Sequence, residues 1–119
     1  MQEFGRWEAL ANAKGVVLLE PAGYVEFMNL IFHCAAVVTD SGGIQEETTY
    51  LGIPCITLRE TTERPITVSE GTNRLMTVHQ VVPAIERVLR GEWPKGRIPE
   101  LWDGKTAFRV VESMTRAIA

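Results

Sequence analysis

The sequence predicts an α/β fold in which a parallel sheet is covered by helices on both faces. Three observations carry that expectation. Short β-branched apolar runs alternate with segments of helical period. The runs are nearly continuous rather than alternating, which suits strands buried on both sides. Gly and Pro punctuate the ends of the helical segments. A length of 119 residues fits one compact domain, 1–119, and argues against two.

The elements follow in order. "RWEALANAK" (6–14) has helical spacing and stops at Gly15, a plausible C′ residue. "VVLLE" (16–20) reads as a buried strand stopped by "PAG". "YVEFMNLIFHCA" (24–35) places Phe27, Leu30, Ile31 and Cys34 at helical intervals. "AVVT" (36–39) is a second strand. "IQEETTYLG" (44–52) is a short helix closed by Gly52, with Pro54 just beyond. "CITL" (55–58) is a third strand. "RETTERPITVSEGT" (59–72) is a polar loop with room for one helical turn. "NRLMTV" (73–78) holds a short fourth strand. "QVVPAIERVLRG" (80–91) is an amphipathic helix with Pro83 in its first turn. "EWPKGRIPELWDGK" (92–105) is a loop whose Trp93 and Trp102 are better suited to anchoring the final helix than to forming a lid. "TAFRVVESMTRAI" (106–118) is that helix.

Composition excludes several classes of function. Net charge is −3 and no Lys/Arg run exists, so nucleic acid is not an expected partner. No apolar stretch reaches the length of a membrane span, and no membrane partner is expected. The opening residues show no secretory pattern. Cys34 and Cys55 stand far apart without a CxxC, and neither His33 nor His79 completes a zinc spacing. They read as small buried hydrophobes in a reducing, cytoplasmic setting. No metal and no cofactor is expected.

The informative stretch is "VVTDSGGIQEE" (37–47). A strand delivers the chain to Asp40 at the carboxyl end of the sheet, where ligands of such folds bind. Gly42 and Gly43 tolerate positive φ and carry no Cβ, so a ligand can approach the main chain. The helix that follows presents unpaired N–H groups and a positive dipole end, which suits a phosphate. Ser41 adds a hydroxyl, as cap or as phosphate donor. Asp40 is better suited to capping or orienting the loop than to proton transfer. Glu46 is adequately explained as an acid in a first helical turn. Glu47 lies on the face of Gly43 one turn later and leans back towards the N-terminus. Its two carboxylate oxygens match the vicinal hydroxyls of a ribose. The next strand ends in "LRETTERP" (58–65), which supplies Arg59 and Arg64 as possible phosphate clamps. Pairing with Glu60 or Glu63 is the plainer alternative for both.

Read in order, "TDSGGIQEE", "LGIPCITLRETTERP" and "GTNRLM" resemble the non-hydrolysing UDP-N-acetylglucosamine 2-epimerases. "EPAGYVEFMNLI" and "WDGKTAFRVVESM" extend the resemblance over nearly the whole chain from Val16. It implies a Rossmann-like parallel sheet with flanking helices, as an incomplete second domain of a GT-B fold. It further implies that Ser41, Gly42 and Gly43 bind the diphosphate of UDP or UDP-N-acetylglucosamine, and that Glu47 holds the ribose. Arg64 would reach the phosphates or a nearby allosteric UDP, and Phe27 would contact the uracil; periodicity alone would make Phe27 a core residue.

Family chemistry is elimination of UDP followed by its return with C2 inverted. That needs a base, an acid and a sugar pocket, and no proton-transfer pair faces the glycine turn here. Little activity is expected of the chain alone. In the family's strand order the missing strands lie between the runs at Val16 and Ala36, so unpaired edges are expected. A homo-oligomer through those edges, or a rearranged sheet, follows. Three further readings stand beside this one: a hydrolysing epimerase, a GT-B glycosyltransferase donor domain, against which "TTERP" argues, and a non-catalytic nucleotide-sugar binding or oligomerisation module.

Overall fold

A computed structural model describes residues 6–119. The opening residues, on which the reading of no secretory pattern partly rests, lie outside that range. The element order is α1 (Trp7–Ala11), α2 (Tyr24–His33), β1 (Val37–Thr39), α3 (Gly43–Leu51), β2 (Cys55–Thr57), α4 (Pro65–Ser69), β3 (Asn73–Leu75), a 3-10 turn (Val78–Gln80), α5 (Val81–Leu89) and α6 (Thr106–Ile118). The strands form one parallel sheet in the order β1-β2-β3. Val38 faces Ile56, which in turn faces Arg74. The α/β class is therefore as expected.

β2 is central and fully buried, and its alternation divides the core. Ile56 points to one face, where it packs with Ala84 of α5 and with Trp93. Cys55 and Thr57 point to the other, towards α3. Beside them Ile31 of α2, Ile44 of α3 and Ile53 form a second apolar cluster. Trp93 is buried, and its indole N–H donates to the Thr72 carbonyl at 2.8 Å; it anchors against β2 and α5 rather than the final helix it was expected to hold. Both cysteines are free thiols, and burial raises the pKa of each.

The helix stops follow from local chemistry. Gly52 takes φ 72 after α3, and the Ile53 amide reaches back to the Thr48 carbonyl at 2.9 Å. Pro83 sits in the first turn of α5, where its missing N–H costs nothing. α6 begins on a knot of charge. Arg109 grips both oxygens of Asp103 at 2.9 Å, and Asp103 accepts the Lys105 amide at 3.0 Å. The Arg109 guanidinium draws the Asp103 carboxyl down to about 2.

Two expectations need correction. Residues 16–20 do not form a strand, and Val17 and Leu19 are 77% and 64% exposed. A strand is held by a neighbour's ladder. Among the described residues the sheet ends at β1, so this run has none despite its β-branched composition. The first helix also stops at Ala11 rather than running to Gly15.

Nor is the chain compact. Its radius of gyration is 17.9 Å and its extents are 63 × 31 × 26 Å. About 13.5 Å would be expected for a globule of this length. α1 and α6 contain no buried residue. The apolar face of α6, with Phe108, Val111, Met114 and Ile118, is exposed throughout.

Candidate functional site

The carboxyl end of β1 opens into a cleft of about 460 Å³. Its rim carries Ser41, Gly43 and Glu47, and its floor is Phe27, Ile31, Val37 and Ile44. Four of the six expected site residues therefore lie along one cleft: Phe27, Ser41, Gly43 and Glu47. α2 contributes the aromatic ring, the loop after β1 the serine, and α3 both the glycine and the carboxylate.

The first turn of α3 is open. Helix geometry leaves the Gly43, Ile44 and Gln45 amides without an intrahelical acceptor, and among the described residues no side chain caps them. Ser41 does not act as the cap; Gly42 holds that position. The Ser41 amide is itself taken by Thr39 Oγ1 at 3.0 Å, so Thr39 is seen to brace this loop directly. Gly42 has φ −71 and ψ −38, and Gly43 has no positive φ either. Neither glycine uses the left-handed region it tolerates. What the glycines supply is bareness: a Cβ on Gly43 would meet no atom within 4 Å.

Glu47 is half-buried and points along the cleft rather than into the core. The Tyr24 hydroxyl lies 3.5 Å from its Oε1, at the outer limit of a hydrogen bond. Tyr24 opens α2, and it joins the neighbourhood only because α2 packs beside α3. Glu47 also borders a second hollow with Tyr24, Tyr50 and Trp102.

Of the two arginines, Arg59 takes the plainer alternative and pairs with Glu63, while Arg64 pairs with a different acid. Arg64 pairs with Glu46 on α3 at 3.1 Å, so Glu46 does more than balance a dipole. Arg59 is the one beside the glycines, held by Glu63. Arg74 is committed to the carbonyls of Val68 and Gly71 around the end of α4.

Beneath the site lies a polar network that sequence reasoning missed. Gln45 and Asn73 are fully buried. Asn73 Nδ2 donates to Gln45 Oε1 and to Thr67 Oγ1, each at 3.1 Å, while Asn73 Oδ1 accepts from Thr57 Oγ1 at 2.6 Å. Gln45 Nε2 donates to the Ser41 carbonyl at 3.2 Å, and Gln45 Oε1 accepts from Thr62 at 2.6 Å. One network thus joins the loop after β1, the turn after β2, α4 and β3. The only signal in the sequence is a polar residue at a helix position that must face the sheet.

The sequence resemblance and this arrangement can be set beside known proteins. The family model described as UDP-N-acetylglucosamine 2-epimerase matches residues 3–115. The UDP-N-acetylglucosamine 2-epimerase of Methanocaldococcus jannaschii is 37% identical over 97% of this chain, and the chain spans 31% of that protein. A crystal structure of the M. jannaschii enzyme in complex with UDP-GlcNAc and UDP superposes with a TM-score of 0.77, covering 97% of this chain and 32% of that one. The Neisseria meningitidis enzyme bound to UDP-GlcNAc gives a TM-score of 0.79 at 30% identity, over 92% of this chain and 31% of that one. This chain accordingly spans about a third of the length of these relatives. With a family match over nearly its whole length and a sheet that superposes on those of the enzymes, the chain belongs to the UDP-N-acetylglucosamine 2-epimerase family.

Proposed function

We propose that this chain is the UDP-binding portion of a UDP-N-acetylglucosamine 2-epimerase and that alone it binds UDP without turning over substrate. One observation carries the reading: the uncapped first turn of α3 borders the cleft that also holds Glu47 and Phe27. In this reading Ser41, Gly42 and Gly43 hold the diphosphate through main-chain N–H groups and the serine hydroxyl. Glu47 accepts from the ribose hydroxyls, displacing the weak contact with Tyr24. Phe27, 42% exposed at the mouth of the floor, stacks on the uracil. Arg64 reaches the phosphates by leaving Glu46, which costs little because the pair is exposed. The relatives solved with UDP-GlcNAc and UDP support this choice of ligand.

Turnover needs a positioned acid and base, and the cleft offers Glu47 alone, already assigned to the ribose. Calorimetry with UDP, paired with NMR detection of UDP-ManNAc formed from UDP-GlcNAc, tests both halves. Saturable UDP binding without product is expected. Absence of UDP binding would remove the reading.

The open edge of β1 supports a homo-oligomer built through exposed strand edges. Val38 on that strand is 44% exposed and apolar. Light scattering after size exclusion should give at least a dimer at high concentration, and a clean monomer would count against it. The free cysteines, Cys55 buried and Cys34 half-buried, suit a reducing compartment, and we place the chain in the cytoplasm.

A further inference from the structure

The turn after β2 holds its ion pair directly against the glycine turn. Arg59 Nη1 and Nη2 grip Glu63 Oε2 and Oε1 at 3.0 and 2.8 Å, a two-pronged match. A Cβ on Gly42 would come 3.4 Å from Glu63 Oε2 and 3.9 Å from Arg59 Nη1. A carboxylate of the protein therefore stands at the positive end of α3, where anions are favoured. The pair sits on an anchored turn. Thr62, next to Glu63, donates to buried Gln45 of α3 itself, and its hydroxyl also accepts the Arg64 amide at 3.0 Å. The hydrogen bond from Arg59 holds the Glu63 carboxyl below its ordinary range, and the bond to Glu63 in turn raises the guanidinium's pKa, with a smaller contribution from the charge of Asp40.

We infer that Arg59 is a phosphate-binding residue of this site and that Glu63 is its resident competitor, a carboxylate that occupies Arg59 beside Gly42 until a pyrophosphate displaces it. The inference rests on the nucleotide-diphosphate reading above. A guanidinium fork takes a carboxylate or a phosphate in the same two-point geometry, so the exchange needs no rearrangement of Arg59. Glu63 is 61% exposed and can swing into water. The displaced carboxylate also raises the charge an incoming anion must carry. A pyrophosphate meets that demand better than a singly charged anion does.

The test is calorimetry on the full chain with UDP, inorganic pyrophosphate and uridine, for the wild type, Glu63→Gln and Arg59→Gln. Glu63→Gln should tighten UDP and pyrophosphate about two- to fivefold, the scale of one exposed ion pair, and leave uridine unchanged. Arg59→Gln should weaken both anions about three- to tenfold, the scale of one charge-assisted contact. Tightening cannot arise from a misfolded variant, so Glu63→Gln is decisive even if Arg59→Gln fails to fold. If UDP binds the wild type and Glu63→Gln leaves or lowers its affinity, Arg59 and Glu63 lose these roles while the nucleotide reading stands. If pyrophosphate shows the expected pattern and UDP does not bind, the clamp stands and the nucleotide reading falls. Failure of both anions to bind any variant overturns both.

Discussion

Gly43→Ala should leave the fold at least as stable as the wild type and lower UDP affinity tenfold or more. The two halves of that result come from different physics. Gly43 is the first residue of α3, has no positive φ, and has open space where a Cβ would stand. Folding alone would favour alanine there by about 0.4–1 kcal/mol, through the unfolded chain's lost freedom and better helix propensity. Nothing in the packing requires glycine. Binding gives the requirement. A phosphate held by main-chain N–H groups lies at about 2.9 Å from nitrogen, and a methyl beside it forces that oxygen outward. Losing the contact at an open helix terminus is worth at least a factor of about 10, or roughly 1.4 kcal/mol. Thermal unfolding and UDP calorimetry on the same variant separate the effects. Unchanged affinity would mean that the bare turn serves no ligand.

Asn73→Ala should cost about 2–4 kcal/mol of stability, read from the midpoint of urea unfolding with the m-value unchanged. Asn73 is fully buried and makes three side-chain hydrogen bonds, to Gln45, Thr57 and Thr67. Alanine leaves Thr57 and Thr67 hydroxyls short of a partner in the interior and opens a small void beside β2. Against the roughly 5–15 kcal/mol of a typical domain this is a large fraction. The chain has less to spare, because α1 and α6 contain no buried residue. The same change should slacken the site, since Gln45 ties Ser41 to Thr62 and leans on Asn73. A loss below about 0.5 kcal/mol, the scale of an ordinary surface substitution, would mean the network is redundant.

What the sequence disclosed, and what it hid, divides along physical lines. The end of α3 was legible because a left-handed glycine followed by proline is a local signal. α5 and its early proline were legible for the same reason. The fold class followed from alternating periods that the sheet has kept. Residues 16–20 were misread because composition reports what a segment would do beside a neighbouring strand, and that neighbour is a tertiary fact.

The site shows the same division. Gly43 and Glu47 lie about one helical turn apart on α3 and Ser41 lies just before its start, so spacing alone brings them to one cleft. Tyr24 approaches Glu47 across 23 residues of sequence, and no spacing rule reaches that far. The choice between Arg59 and Arg64 depends on how a turn folds back over Gly42. Gln45 and Asn73 were hidden because polar residues read as surface until a partner is seen. The glycine pair does not use the positive φ it tolerates: both residues have helical or nearly helical backbone, and what they offer a ligand is the lack of a side chain.

The account stands on the amides at the start of α3 meeting a diphosphate. Backbone ¹⁵N–¹H spectra of the labelled chain, recorded through a UDP titration, test this most directly. The account predicts saturable shifts concentrated at Gly42, Gly43, Ile44 and Gln45, with uridine alone moving them far less. Shifts confined to other elements, or none at this turn while UDP binds, would contradict it.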